Sequence, residues 1–204
     1  MAIADYTSLI TEIISWSNHD DINTAVASTL LNLGEKRVYR EIKTTEMETG
    51  FSVTISGGVA TLPSDFQGLL NARISGSPDL PMEIQTGEFI YRKYPTRSSE
   101  TKPRFCAVEG SNLVFGPYPD ANYLVKGTYY ARPTSLSSSN TTNYFTDEGG
   151  DALFYASLVN AEPFLKNDQR IQIWEGLYQR SKLEIMKEQK RKKYGGSPKH
   201  SRAS

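Results

Sequence analysis

The stretch that decides the predicted fold is LVFGPYPDANYLVKGTYYARPTSLS, residues 113–137. Two strand-like segments flank a connection that contains Pro117 and Pro119, and proline fixes the backbone dihedral φ at positions that are typical of turns. The stretch therefore predicts a β-hairpin whose connection, over residues 116–122, is stiff rather than flexible.

Tyrosine is abundant in this chain, with twelve copies among 204 residues. Successive side chains of a strand point to opposite faces of the sheet, so Tyr129 and Tyr130 predict a sheet that is covered on both sides. Tyrosine is also enriched at protein interfaces, where the ring is buried and the hydroxyl stays paired. The covers are interpreted as helices on one face and a neighbouring subunit on the other, with Tyr118, Tyr129 and Tyr130 as candidate subunit contacts.

Outward from this stretch, the hydrophobic spacing changes twice. Apolar residues three or four positions apart predict helices over about residues 3–42 and 148–186. Between them, alternation predicts about six strands over residues 47–133, including FSVTISGGVATLP, in which Gly57 and Gly58 supply a tight hairpin turn.

Helical and strand segments are kept apart along the sequence, without β–α–β alternation, which favours the α+β class. We expect a helical bundle, formed by the N- and C-terminal helix pairs, with an antiparallel β block inserted between them. Residues 1–186 are predicted to form a single domain, and residues 187–204 an extended basic C-terminal tail.

Short polar side chains indicate where helices begin, because they accept hydrogen bonds from the first free backbone amides. Asp20 or Asp21 is expected to cap the second helix, and Thr86 a short helix in the β block. In TDEGGD, residues 146–151, clustered carboxylates would suit a hard cation. The segment lacks the ligand spacing of an EF-hand, however, so helix capping by Thr146 or Asp147 is the favoured interpretation.

The composition predicts a folded, soluble chain, with 38% apolar residues, 11% aromatic residues and a mean hydropathy of −0.48. No apolar run has the length of a membrane span, and the N-terminus lacks the basic region of a signal peptide. Cys106 is the only cysteine, which excludes an intramolecular disulfide. These features indicate a protein made in a cytoplasm.

Catalytic motifs are missing from the sequence, so no enzyme activity, cofactor or metal is expected. There is no phosphate-binding glycine loop, no HExxH zinc motif and no GxSxG nucleophile turn. The only histidines, His19 and His200, lie beside a predicted helix cap and in the predicted tail. A pair of carboxylates that could act on a glycan stays open as an alternative, although no particular pair stands out.

The basic tail gives the chain an uneven charge. Residues 187–204 contain seven Lys or Arg and one acid, a net charge of +6, so residues 1–186 carry −6 within a neutral total. Three interpretations stay open: docking onto a protein partner, contact with nucleic-acid phosphates, or a solvated terminus. The candidate docking residues are Lys187, Lys190, Arg191, Lys192, Lys193, Tyr194, Lys199 and Arg202.

Three segments in order carry a family resemblance: TLPSDFQGLLNARISG, then NLVFGPYPDANYLVKGTYYARPTSLS, then DALFYASLVNAEPFLKNDQRIQIWEGLYQRSKLEI. Over residues 59–186 the chain resembles the head-to-tail adaptor, or connector, proteins of tailed bacteriophages, especially of short-tailed phages. Pro163 departs from the family pattern, because it interrupts a helix that usually continues with helix-forming residues.

The resemblance implies a structural virion protein. Such adaptors form a ring, commonly of twelve copies, that joins the capsid portal to tail or nozzle proteins and continues the channel for genomic DNA, without sequence-specific binding. It implies assembly in the host cytoplasm, a place at the head–tail junction, no membrane, and a tail that reaches the portal. The alternatives are a phage cell-wall glycan hydrolase and a nucleic-acid-binding module that uses the basic tail.

Overall fold

The computed structural model describes residues 3–98, 100–165 and 168–195, without the side chains of Asp168 and Tyr194. The helices are α1 Tyr6–Ser17, α2 Thr24–Glu41, α3 Gly87–Lys93, α4 Tyr144–Glu148, α5 Gly150–Phe164 and α6 Ile171–Tyr194. The strands are β1 Glu48–Thr54, β2 Val59–Thr61, β3 Phe66–Ile74, β4 Leu80–Ile84, β5 Phe105–Glu109, β6 Asn112–Gly116 and β7 Leu124–Ala131. The α+β prediction is confirmed.

The chain divides into two compact units, each with its own packing. A helical unit contains the residues up to Glu46 and from Pro133 onward, and a β unit contains Met47–Arg132. In the helical unit α2 packs on α5, α5 on α6, and α1 on both α2 and α5. The two ends of the chain therefore pack together, as expected, while the full bundle arrangement and the single domain over residues 1–186 stay predictions.

The second and fourth helices begin at asparagines rather than at the predicted residues. The side chain of Asn23 accepts from two amides at the start of α2, so capping by Asp20 or Asp21 was wrong. Asn143 caps α4 in a reciprocal box with Thr146, the third residue of that helix. The helix predicted to begin near residue 148 is α5, which begins after Gly149 without a side-chain cap, so capping by Thr146 or Asp147 was wrong. At the start of α2 and of α4, the helical backbone begins a few residues away from the acidic residue that was predicted as a cap. The Thr86 cap of α3 is confirmed.

A close approach of α2 and α5 depends on a glycine in the middle of α2. A β-carbon added to Gly34 would lie 2.6 Å from the Ser157 hydroxyl oxygen and 3.2 Å from the Leu153 carbonyl oxygen. A side chain at this position would require the Ser157 hydroxyl to move and would press tightly on the neighbouring backbone. A glycine that weakens the isolated helix thus permits the contact between the N- and C-terminal helices.

The β unit contains one seven-stranded, nearly closed sheet in the order β1-β7-β3-β4-β5-β6-β2. Five of its six strand pairings are antiparallel, but β4 and β5 are parallel and joined through α3. The expectations of a purely antiparallel block, and of no β–α–β unit, were therefore wrong. The sequence analysis missed β4 because this five-residue strand contains Pro81.

The stretch over residues 113–131 is not a hairpin, since its two strands do not pair. Strand β6 pairs with β5 and β2, whereas β7 pairs with β1 and β3. The connection between β6 and β7 therefore runs from the strand next to β2, at one end of the strand order, to the strand next to β1, at the other end. The Gly57–Gly58 turn is present, with positive φ at both residues and a bridge between Ser56 and Val59. This turn joins the two terminal strands of the sheet.

Two apolar clusters fill the β unit. The larger contains Phe51, Ile74, Phe115 and Val125, which come from four different strands. The smaller forms where Ile90 of α3 packs on β5 and β6. The sheet is thus covered on one side by its own enclosed core and, over β5 and β6, on the other side by α3.

Candidate assembly surfaces

The paired tyrosines of β7 occupy different environments. Tyr129 is only 4% exposed; its ring stacks on Phe66, and its hydroxyl donates a 2.9 Å hydrogen bond to Asp65. Burial, with the bond to Asp65, raises the pKa of Tyr129. Tyr130 follows on the opposite face and is half-buried. Opposite orientation is confirmed, and of this pair Tyr130 has the more accessible ring.

Asp65 explains why two of the quoted segments belong together. It lies in the LPSDF segment, and besides accepting from Tyr129 its backbone carbonyl accepts a 2.7 Å bond from the amide of Arg132. The aspartate therefore fixes the entrance of β3 to the end of β7. The LPSDF and YYARP sequences are two halves of one local structure.

Tyr118 lies in the connection between β6 and β7, next to the turn that joins β1 and β2. A β-carbon on Gly58 would lie 2.6 Å from Cζ of Tyr118, so the ring covers the bare backbone of this glycine. The Tyr118 carbonyl accepts bonds from the amides of Glu100 and Thr101. The ring and the carbonyl of Tyr118 therefore both contact neighbouring segments, while the stiffness of the connection stays a prediction.

The first part of the predicted tail is helical. Helix α6 continues to Tyr194 rather than ending near Met186. Gln189, 7% exposed, accepts hydrogen bonds from the amide and hydroxyl of Thr45 and donates to the hydroxyl of Tyr144. The end of α6 is consequently fixed to its own helical unit and is not an extended segment.

Lys192 reinforces this attachment. Its ammonium group pairs with Glu148 at 3.1 Å, Glu46 at 3.2 Å and Glu188 at 3.3 Å. The bond to Glu148 is the main cause that raises the pKa of Lys192; desolvation opposes it, and the bonds to Glu46 and Glu188 add to the rise. Lys192 therefore binds the chain's own carboxylates, unlike the role predicted for it in docking.

The other basic residues at this end of α6 face solvent. Lys187, Lys190, Arg191 and Lys193 are all exposed, and Leu183 beside them is 55% exposed. Tyr194 is the last helical residue, while Lys199 and Arg202 lie outside the described residues. The accessible part of α6 is thus a basic helical face opposite the buried face of Gln189.

A scan against models of protein families matches residues 4–202 to the SU10 adaptor protein family. The chain belongs to this family. The match includes α1 and α2, for which the sequence analysis had no family motif. A search of curated proteins found no match.

Membership in the SU10 adaptor family indicates a phage adaptor-type structural protein. The family implies a place at the head–tail junction of the virion and association with portal and tail proteins. A structural family also suggests that the adaptor is not an enzyme. Among its described residues, no helix is long and apolar enough to span a membrane.

An ionic cluster between α2 and α6 of the adaptor was not predicted. Arg37 binds both carboxylate oxygens of Glu175, at 2.6 and 2.7 Å, and also Glu41 at 3.0 Å. Burial alone would raise the pKa of Glu41, but bonds from Lys182, Arg37 and Tyr178 lower it to about 2. Arg37 and Glu41 are four positions apart on α2, but their partners on α6 lie more than a hundred positions away, so no local sequence pattern reveals the cluster.

Glu35 is a buried carboxyl group that the sequence analysis also missed. It is 1% exposed and accepts bonds from the Tyr39 hydroxyl and the Leu136 amide, both through Oε1. Burial raises its pKa, although these two hydrogen bonds oppose the shift. Within the described residues, Oε2 has no hydrogen-bond partner. This residue anchors the Ser/Thr/Asn-rich segment that follows the β unit.

The residues considered for chemistry do not assemble into a site. In the described part of the chain no group of acidic, histidine or cysteine side chains could hold a metal ion. His19 is exposed next to Asp21, and His200 lies outside the described residues. Cys106 is buried, and burial raises its pKa to about 11, which disfavours the reactive thiolate.

Proposed function

We propose that this adaptor forms an oligomeric ring that joins the portal to the tail in a short-tailed phage and continues the DNA channel. The observation that carries the proposal is the family match over residues 4–202. A ring commonly of twelve copies, with genomic DNA passing through without sequence-specific binding, follows from the resemblance to head-to-tail connectors. Ring contacts are heterologous, so each subunit needs two different faces. Tyr130 and Tyr118, which are only half-buried, are the candidates for one of them.

The portal-docking segment is proposed to be the exposed basic face of α6 together with residues 196–204. Lys187, Lys190 and Arg191 supply accessible positive charge on a helix whose other side is fixed by Gln189. A charged face of this kind steers association with an acidic partner. Lys192, which is occupied by three glutamates, is left out of the proposed contact.

Copurification with portal particles tests this docking. Truncation after Gly195 is preferable to truncation after Met186, since the shorter chain loses Gln189 and the contacts that fix α6. We expect the truncated adaptor, and separately the double variant Lys187→Glu and Lys190→Glu, to bind portal particles at least about tenfold more weakly. Lys36→Glu changes an exposed lysine of α2 and is the matched control, which should bind normally.

Two outcomes contradict the proposal at different levels. Undiminished portal binding by both variants would remove the docking role of α6 but leave ring formation intact. Electron micrographs of portal particles saturated with adaptor, and showing no added ring density, would contradict the ring. DNA affinity that falls steeply with salt and disappears in the double variant would instead favour the nucleic-acid-binding alternative.

A further inference from the structure

The β unit contains a cavity of about 530 Å³, which is in the size range of ligand pockets. We call it the Arg97 pocket. Its wall combines two aromatic rings, two aliphatic side chains and three polar side chains, from Tyr91, Tyr118, Val59, Val114, Asn112, Arg97 and Glu109. The mixture of a cation, rings and apolar surface suits a ligand with both charged and apolar parts.

The guanidinium of Arg97 is held in place by three elements. Its Cζ lies 5.4 Å from the centre of the Tyr91 ring and 4.9 Å from that of Tyr118. One terminal nitrogen donates a 2.8 Å bond to the carbonyl oxygen of Phe115 on β6. Because Tyr118 is itself seated on Gly58, the arginine has little freedom to leave the pocket. A fixed guanidinium fork is well suited to carboxylate recognition.

Arg97 is half-buried, yet it forms no ion pair with any residue in the described part of the chain. Glu109 also lines the pocket, but its carboxylate accepts a 2.5 Å bond from the Tyr91 hydroxyl on α3. Charged groups removed from water normally have a counter-charge. The pocket therefore holds a positioned cation with no carboxylate at salt-bridge distance in the described part of the chain.

We propose that the Arg97 pocket binds the carboxylate of an acidic residue, flanked by an apolar residue, in an extended segment of a partner protein. The carboxylate takes the remaining donors of Arg97, and the apolar neighbour packs against Val59 and Val114. The volume admits two adjacent side chains of a peptide, and Asn112 can bond to its backbone. The site itself stands on this geometry; only the choice of another virion protein, rather than a second copy, rests on the family role.

A nucleic-acid phosphate is a poorer ligand for this site. Phosphate binding usually relies on several Lys or Arg side chains, whereas the pocket has one arginine. The two valines would have nothing apolar to contact on a phosphate backbone. A peptide with one acid satisfies both the charge and the apolar wall.

Nuclear magnetic resonance of the full chain tests the pocket with two capped tripeptides, acetyl-Leu-Asp-Leu-amide and acetyl-Leu-Asn-Leu-amide. We expect the aspartate peptide to shift the Arg97 Nε–H signal and the amides of Asn112 and Tyr118 in a saturable way. The asparagine peptide should bind roughly tenfold more weakly or worse, since it lacks the charge-assisted bond.

Variants assign the effect to the guanidinium. Arg97→Gln should abolish the difference between the two peptides, and Arg97→Lys should retain part of it, because the charge remains without the fork. Arg92→Gln, on the exposed side of α3, is the matched control and should bind as the unaltered chain does. An unchanged amide spectrum elsewhere shows that each variant is folded, and Arg97→Lys keeps the test valid if Arg97→Gln unfolds.

Several results overturn the proposal. Equal shifts with both peptides, or shifts that survive in Arg97→Gln, would mean that the pocket does not recognise a carboxylate. Saturation by inorganic phosphate at lower concentration than the aspartate peptide would replace the peptide with a phosphate ligand. Concentration-dependent self-association that is lost in Arg97→Gln would place the segment in a second copy instead of a different protein. None of these results depends on ring formation on the portal.

Discussion

The helical unit and the β unit differ in the part that charged groups play in their packing. The helical unit has an apolar core that includes Leu9, Leu31 and Leu153. It also joins the two ends of the chain through ionic contacts, such as Arg37 with Glu175 across 138 positions. The β unit is one continuous stretch, Met47–Arg132, whose sheet almost closes around an apolar core. The contrast teaches that changes of charge should act mainly on the helical unit, and changes of volume most severely on the β unit.

The largest effect is expected from filling the close contact of β3 with β7. A β-carbon on Gly127 would overlap the Asn71 carbonyl oxygen and lie 2.6 Å from the ring of Phe51. Since a backbone atom cannot move aside cheaply, Gly127→Ala should lower the free energy of unfolding by about 3 kcal/mol. Hydrogen exchange of the β-strand amides measures this change in the free energy of unfolding.

Gly50→Ala is the control for this variant, because the nearest atom to its added β-carbon is 3.9 Å away. It should change the free energy of unfolding by less than about 1 kcal/mol. Equal effects of the two substitutions would mean that the close contact of the strands does not limit the stability of the β unit.

A smaller steric effect is expected in the helical unit. Gly34→Ala gains helix propensity but brings a β-carbon to 2.6 Å from the Ser157 hydroxyl oxygen, and this side chain can rotate away. We expect a net loss of about 1–2 kcal/mol. Both tryptophans, Trp16 and Trp174, belong to this unit, so the fluorescence of thermal or urea unfolding reports on it selectively.

The matched control is Gly176→Ala in α6, where nothing lies within 4 Å of the added β-carbon. The same substitution should there stabilise the unit by up to about 1 kcal/mol, through helix propensity alone. Opposite signs at the two glycines separate packing from propensity. A stabilising Gly34→Ala would show that α2 and α5 can separate without loss.

The comparison also explains what the sequence could predict. Helical spacing is a local property, so the repeat of apolar residues within residues 3–42 sufficed to predict helix there, as α1 and α2 confirm. The end of α6 was misplaced because the buried position after Ile185 holds a polar residue, Gln189. Gln189 lies four positions after Ile185 and so continues the spacing of the buried face. A search for apolar residues alone does not detect it.

Strand pairing is a non-local property, and there the sequence analysis was misled. Residues 113–131 contain two strand patterns, but the pattern does not identify their partners. The signals against a tight hairpin were present in Pro117 and Pro119, which lengthen and stiffen the connection. Within the β unit, the tie between Asp65 and Tyr129 and the ring contacts of Arg97 depend on distant segments, so the candidate pocket could not be predicted.

Among changes of charge, Glu41→Gln should be the most destabilising. The pKa of Glu41 is lowered to about 2, so its ionised form stabilises the folded state above the ordinary value of about 4.3. This contribution is lost as the pH falls from about 4.3 towards 2. Because the carboxyl group is partly exposed, we expect Glu41→Gln to lower the free energy of unfolding at pH 7 by only about 1 kcal/mol. Urea unfolding, followed by tryptophan fluorescence, measures this difference.

The difference between Glu41→Gln and the unaltered adaptor should disappear as the pH approaches 2. Glu88→Gln in the β unit removes an exposed pair with Arg92 and should change the free energy of unfolding by less than about 0.5 kcal/mol. A larger effect of Glu88 than of Glu41 would contradict the assignment of charge effects to the helical unit.

An effect of opposite sign is expected from Glu35→Gln. Burial raises the pKa of Glu35, so its contribution is favourable below the ordinary value and is lost as the pH rises through the raised one. Glutamine keeps an acceptor for the Leu136 amide and the Tyr39 hydroxyl without the buried charge. Stability at pH 7 should be unchanged or higher by up to about 1 kcal/mol, and equal to that of the unaltered adaptor near pH 3.

Glu35→Ala separates this charge effect from the hydrogen bonds. It removes the acceptor altogether, leaves two buried donors without a partner and should destabilise the helical unit by about 1–3 kcal/mol at both pH values. Unfolding curves of the unaltered adaptor, Glu35→Gln and Glu35→Ala at pH 3 and pH 7 distinguish the effect of the charge from that of the hydrogen bonds. If Glu35→Gln were clearly less stable at pH 7, the buried carboxylate would have to be compensated, and the helical unit would then tolerate charge in its interior as well as at its surface.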